Sequence, residues 1–194
     1  GEYEEHRVSE AAGSGVEGVI RFWERNNGHV FVEVRVAGTT GGTDHQTHLH
    51  ADSWLQTGAA IVTLADINGA TGVAYSNLEE NDAAETIFFA QVASMDAYFN
   101  VHTTDTGGPA IANADIGQNA LTGRTVSYSL LGQAAAPVNA RGEMIFLERR
   151  SGAMIAVLDV DGGSAGESHL AHIHTGTAGS GGPILITLGN VDGD

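Results

Sequence analysis

The chain repeats itself at an offset of 124 residues, and this repeat limits what it can fold into. "GVIRFWERNNGHVFVEVRVAG", from Gly18, aligns with "GEMIFLERRSGAMIAVLDVDG", from Gly142. The alignment sets Phe22 on Phe146, Glu24 on Glu148, Arg25 on Arg149 and Gly28 on Gly152. The register holds without a gap from Gly18–Ala70 to Gly142–Asp194, with 15 of 53 positions identical. Most other positions exchange one strand-type apolar residue for another, as a duplicated supersecondary unit does. Upstream, "EYEEHRVSEAAG" matches "SYSLLGQAAAP" more loosely, with a slip of one residue. The second copy reaches Asp194 opposite Ala70, so the stretch from Thr71 to about Arg124 has no counterpart. Residues 1–124 are therefore expected to form one complete unit, and residues 125–194 the first half of another.

The repeated segments read as β-structure. In "HVFVEVRV", Val30, Val32, Val34 and Val36 fall on one face and Phe31, Glu33 and Arg35 on the other, the period of a half-buried strand. "AAIVTL", "ETIFFAQV", "DAYFNVH", "TVSYSLL", "EMIFLERR", "AMIAVLDV" and "PILITL" are further short apolar runs. They are separated by Gly-, Asn- and Asp-rich segments that permit turns. Gly28 and Gly152 sit where a tight hairpin needs positive φ. The expected fold class is all-β, with tandem Greek-key β-sandwich units of which the second is incomplete.

Six of the nine histidines stand in two H-x-x-H-x-H runs related by the repeat: His45, His48 and His50, then His169, His172 and His174. On a strand, residues i and i+2 share a face. His48 and His50 thus point one way and Leu49 the other, as do His172 and His174 about Ile173. His45 and His169 are expected in the preceding turn, folding back towards that face. In "DAYFNVH", Tyr98, Asn100 and His102 alternate with Phe99 and Val101, so a second strand is expected to bring His102 to the first cluster. Imidazoles without thiolates suit Cu(II), Zn(II) or Ni(II), and Cu(II) or Zn(II) is the expected cofactor. A hydrogen-bonded polar patch accounts for a single H-x-H. Retention of all three histidines in a copy that keeps 15 of 53 residues favours a metal-binding or proton-sensitive site.

No G-x-S-x-G, H-E-x-x-H or phosphate-cradling glycine loop occurs, so no enzymatic activity is expected. "DVDGG" and "NVDGD" resemble fragments of calcium loops without completing one, and read as turns. The 24 acidic against 8 basic residues give a formal charge of −16, which repels a phosphate backbone and disfavours nucleic acid as a partner. No apolar run reaches the length of a membrane span. There is no Cys, which removes disulfides and thiolate metal sites. The opening "GEYEEHRV" lacks Met and an apolar signal segment, as a processed secreted protein or a trimmed piece of a longer chain would.

"HLAHIHTGTAGSGGPILITL", together with "DAYFNVHTTDTGGPAIANADIG" in the first unit, resembles the CHRD domain, the β-sandwich module named after chordin. The H-x-H strand, the G-G-P turn, the apolar strand after it and the N-V-H-T stretch stand in that family's order. The resemblance covers about residues 16–117 as a full unit and about 140–194 as a partial one. Where the family carries Arg-Gly after N-V-H-T, this chain has Ala112 and Asn113, so no role of that Arg transfers. The resemblance implies an extracellular setting and protein–protein contacts, without a settled enzymatic activity. The H-x-H strand is also similar to that of copper/zinc superoxide dismutases.

Two functional expectations follow. In the first, the chain is a secreted subunit that polymerises head-to-tail with copies of itself into fibres, a neighbouring copy completing the half unit. The N-terminal segment is the expected donor strand, with Tyr3, Glu5 and Arg7 setting its register and His6 standing in for the missing counterpart of His102. In the second, the chain is a monomeric extracellular copper- or zinc-binding protein, either a carrier or dismutase-like.

Overall fold

The structure, a computed structural model, describes residues 1–132 and 140–193. The loose upstream match through Gln133–Pro137 and the last repeat position, Asp194, lie outside the described residues. The chain divides into two compact units, one comprising Gly1–Leu121 with Arg149–Ser151, the other Thr122–Glu148 with Gly152–Asp194.

The first unit is a single eight-stranded sheet that curls into a nearly closed, barrel-like sandwich. Its strands are β1 (Tyr3–Glu10), β2 (Glu17–Glu24), β3 (Val30–Ala37), β4 (His45–Ala51), β5 (Ala60–Ile67), β6 (Val73–Leu78), β7 (Asp96–Thr104) and β8 (Gly107–Gly117). They pair in the order β5-β4-β7-β8-β1-β2-β3-β6, so Greek-key crossovers set β6 beside β3, β7 beside β4 and β8 beside β1. A bridge between Asn68 and Val73 brings the two outer strands together and almost closes the sheet. The alternation in the sequence explains which face turns inward. Val30, Val32, Val34 and Val36 are buried, and they join Val8, Ile20, Phe22, Leu49, Phe99, Val101 and Ile116 in one core. Phe22 and Phe99 are fully buried, and emptying either site costs about 3–5 kcal/mol.

Two segments depart from the expected strands. "ETIFFAQV" forms one turn of helix, α1 (Phe89–Val92), fixed by the Phe88 amide donating to Gln91 Oε1 at 2.7 Å. The Gly-, Ala- and Asn-rich "GGPAIANADIG" forms the eleven-residue β8, whose small Ala112 and Ala114 are buried.

The N-terminal segment is held in the chain's own sheet, contrary to the expectation that it serves as a donor. β1 pairs with β2 from Tyr3↔Trp23 to Val8↔Gly18, and with β8 at Ser9↔Asn113 and Glu10↔Ala112. The side chains that were to fix register in a neighbour clamp it here. Tyr3 packs on Trp23 at 4.4 Å, Glu5 accepts from Arg21 at 2.6 Å, and Arg7 donates to Glu17 at 3.2 Å. His6 and Val8 point into the core, and His6 is 5% exposed. His6 therefore does not take the place of a second-unit ligand.

The second unit is built from smaller pieces. β11 (Met154–Asp161), β10 (Arg141–Arg149) and β9 (Leu121–Leu130) make a three-stranded sheet in that order. β12 (Ser168–His169) pairs with β15 (Val191–Asp192), and β13 (His172–His174) with β14 (Ile184–Thr187). Local geometry recurs at the sequence offset. The hairpin register Gly18↔Val36 returns as Gly142↔Val160, and the irregularity between Leu49 and His50 returns between Ile173 and His174. A Cβ on Gly18 would lie 2.0 Å from the Arg35 carbonyl oxygen, and one on Gly142 would lie 1.9 Å from that of Asp159, so both positions require glycine. No strands among the described residues take the places that β6, β7 and β8 hold in the first unit. Leu170, Ile184, Leu185 and Ile186 consequently remain exposed.

Candidate metal centre

β4 lies between β5 and β7, with its odd residues His45, Thr47 and Leu49 buried and its even residues Gln46, His48 and His50 turned to the other face. On that face His48 stands opposite Asn100 and His50 opposite Tyr98, while His102 follows two residues beyond Asn100 on β7. The rings of His48 and His50 lie 5.6 Å apart, and those of His48 and His102 lie 5.2 Å apart. One ring nitrogen from each of the three falls within 4.8 Å of the others, close enough to share an ion.

The main chain fixes which nitrogens are available. His50 Nδ1 is 2.9 Å from the Gly58 carbonyl oxygen, and His102 Nδ1 is 2.7 Å from that of Gly108. A carbonyl only accepts, so both Nδ1 atoms carry the proton and both Nε2 atoms present lone pairs. Such outer bonds orient metal-ligating imidazoles and raise their basicity. His102 Nε2 also accepts from the Asn100 amide at 3.2 Å. His48 Nδ1 and His50 Nε2 are buried without a hydrogen-bond partner, a costly state for polar atoms. A coordinated ion would relieve it. Burial, then the nearby His102 and His50, hold the His48 ring below its ordinary pKa and keep it neutral for coordination. Tyr98 stacks on His50 at 4.8 Å and Trp54 packs against Tyr98 at 6.0 Å, walling one side. Burial pushes the Tyr98 phenol up, which keeps it protonated.

Of the expected ligands, the structure gathers His48, His50 and His102 and leaves His45 on the inner face. β4 already begins at His45, so strand alternation sets its ring on the side of Thr47 and Leu49, and its Nδ1 donates to the His102 main-chain oxygen at 3.0 Å. In the second unit His172 and His174 are 6.0 Å apart, whereas His169 sits on β12, 3.4 Å from Glu167. The His174 Nδ1 bond to the Gly182 carbonyl oxygen, 2.7 Å, repeats that of His50 to Gly58. The glycine carbonyls are the parts that side-chain spacing did not reveal, although Gly58 and Gly182 are themselves a repeated pair. His29, outside both clusters, stacks on Phe88 and bonds the Ile87 carbonyl.

No protein-family model matches the sequence, and no curated protein matches it. Among solved structures, the chain is similar to a mutant of superoxide dismutase 5 from Candida albicans, at 15% identity and a TM-score of 0.38. The likeness covers 59% of this chain and 90% of that one.

Proposed function

We propose that the first unit binds a transition metal ion, Cu(II) or Zn(II), through His48, His50 and His102. The observation that carries this reading is the convergence of three imidazole nitrogens within 4.8 Å, two of the rings being held by glycine carbonyls. An all-nitrogen donor set suits these borderline ions, and three protein ligands leave a position open for water or another donor. The role proposed is binding, the property that the three converging imidazoles support directly. The test is a Cu(II) titration of the full chain followed by electron paramagnetic resonance. Nitrogen hyperfine structure from an ion that His48→Ala, His50→Ala and His102→Ala each lose, about one per chain, supports the reading, and an undiminished signal and stoichiometry in those variants rejects it.

The second unit supports a second reading, a secreted subunit that assembles into fibres with copies of itself. Its sheets have two or three strands, and large apolar side chains at Met154, Leu170, Leu185 and Ile186 lie open to water. A neighbouring copy would cover them. The extracellular setting and the kinship with CHRD domains belong to this reading, supported by the H-x-H and G-G-P order along the chain. Electron micrographs of the purified full chain test it. Filaments support it, and a monodisperse monomer at high concentration rejects it.

A further inference from the structure

The second unit carries half of the first unit's metal arrangement beside an open strand edge. β13 pairs with β14 alone among the described residues, and the opposite edge of its counterpart β4 is occupied by β7. Main-chain bonds show what that edge offers. The Leu188 amide donates to the Ala171 carbonyl and the Thr175 amide to that of Pro183, so the odd residues face β14. The N–H and C=O groups of His172 and His174 therefore point to the open edge, unpaired by any strand among the described residues. Their rings are 6.0 Å apart, and Gly182 holds His174 as Gly58 holds His50.

We propose that this edge receives β13 of a second copy, antiparallel about a two-fold axis at Ile173, and that the four imidazoles so gathered bind one Zn(II) or Cu(II) ion between the copies. The inference borrows its ligand chemistry from the imidazole reading of the first unit. The register follows from the backbone. His172 of one copy stands opposite His174 of the other, twice, and each such pair exchanges both main-chain hydrogen bonds. Because i and i+2 share a face, all four rings emerge on one side of the joined strands. Cross-strand neighbours have Cβ atoms about 4.5–5.5 Å apart, which sets four rings around one ion. Four nitrogen ligands complete the tetrahedral shell of a structural zinc. The second copy's strand takes the place that β7 fills in the first unit, and the contact is self-complementary. Charge makes the ion a condition of pairing: two chains of −16 repel each other, and a dication at the junction offsets part of that repulsion.

The experiment is a Zn(II) titration of the full chain followed by sedimentation velocity and metal counting. Doubling of the mass, with half an ion per chain beyond the one held by the first unit, is expected. A His48→Gln/His102→Gln variant should still dimerise with half an ion per chain, and a His172→Gln/His174→Gln variant should stay monomeric with one. An Ile173→Cys variant gives an independent readout. Ile173 of each copy would face its equivalent in a non-hydrogen-bonded pair, with Cα atoms about 4.5 Å apart, so the introduced thiols should oxidise to a dimer only when zinc is present. The chain has no other cysteine to compete. Dimerisation that survives loss of His172 and His174 overturns the proposal, as does a wild-type chain that stays monomeric with one ion. Open-ended growth indifferent to His172 and His174 overturns it while leaving fibre assembly intact. Half an ion per chain in the dimer with nothing at His48, His50 and His102 supports it and removes the first-unit reading instead.

Discussion

His50 donates a 2.9 Å hydrogen bond to the carbonyl of Gly58, and 124 residues later His174 makes the same bond to Gly182. The partner must be a glycine in both units, because a Cβ on Gly58 would lie 2.1 Å from the Ala51 carbonyl oxygen and one on Gly182 would lie 1.9 Å from that of Thr175. Gly58→Ala is expected to shift this carbonyl, free the His50 ring and weaken metal binding by about 10–100-fold, as loss of an outer hydrogen bond to a ligand does. A chelator-competition titration with Cu(II) measures it. The Thr57→Ser variant, one residue away, should bind as the wild type does.

Metal should stabilise the folded chain in proportion to its free concentration. At a hundredfold excess over Kd the gain is about 2.7 kcal/mol, read as a rise in Tm that a chelator reverses. His102→Ala should abolish the part of the rise that belongs to the first unit's transition. Protons compete for the same lone pairs, so binding should weaken as the solution becomes acidic.

His6 predicts a pH dependence independent of metal. Burial, followed by the charge of Arg150, holds its folded pKa below 6.5, against the opposing pull of Glu4. The unfolded chain therefore takes up a proton first as pH falls through 6.5, and stability is lost from there down to the folded value. Above 6.5 this contribution is fully present. Urea melts of apo protein at pH 7.5 and 5.5 should show the loss, and His6→Leu should reduce it.

Arg149 is buried beside Asp115, with Nη2 2.9 Å from Oδ2, and it also donates to the Asn119 carbonyl at 3.1 Å. Burial already pushes the Asp115 carboxyl up despite the bonds from Trp54 and Arg149. Arg149→Ala should cost roughly 3–5 kcal/mol by stranding that carboxylate. Arg149→Ala combined with Asp115→Ala should be less damaging than the sum of the two singles, as read by chemical denaturation.

Deleting Gly1–Ser14 should abolish the cooperative thermal transition of the first unit, followed by circular dichroism. The deletion removes a strand whose Val8 is fully buried and the Ser14 hydroxyl bonded to the Ile111 carbonyl at 2.5 Å. An unchanged transition would mean that β1 is dispensable.

The face shared by His48 and His50 was legible because strand period is a property of the chain itself, and so was the arrival of His102 from "DAYFNVH". The place of His45 was not, because the strand was expected to start after it; β4 begins at His45, and alternation then sets that ring on the inner face with Thr47 and Leu49. β8 escaped notice because its alanines, glycines and asparagines lack β-branched bulk. Its strand character comes from pairing with β7 along Asp96–Thr104. α1 was hidden inside an aromatic run that reads equally well as a strand. The fate of β1 depended on β8, a neighbour distant in sequence.

That distance matters during synthesis. β1 leaves the ribosome ahead of its partners and finds β2 almost at once through a short loop, but its other edge waits until Asn113 has been made. Contacts so far apart in the chain carry a loop-closure penalty and form late. Through that interval the nascent chain presents an unsatisfied strand edge to any neighbouring nascent chain. The slowest and most error-prone step in making this protein should therefore be the arrival of β8, with domain-swapped dimers as its characteristic by-product.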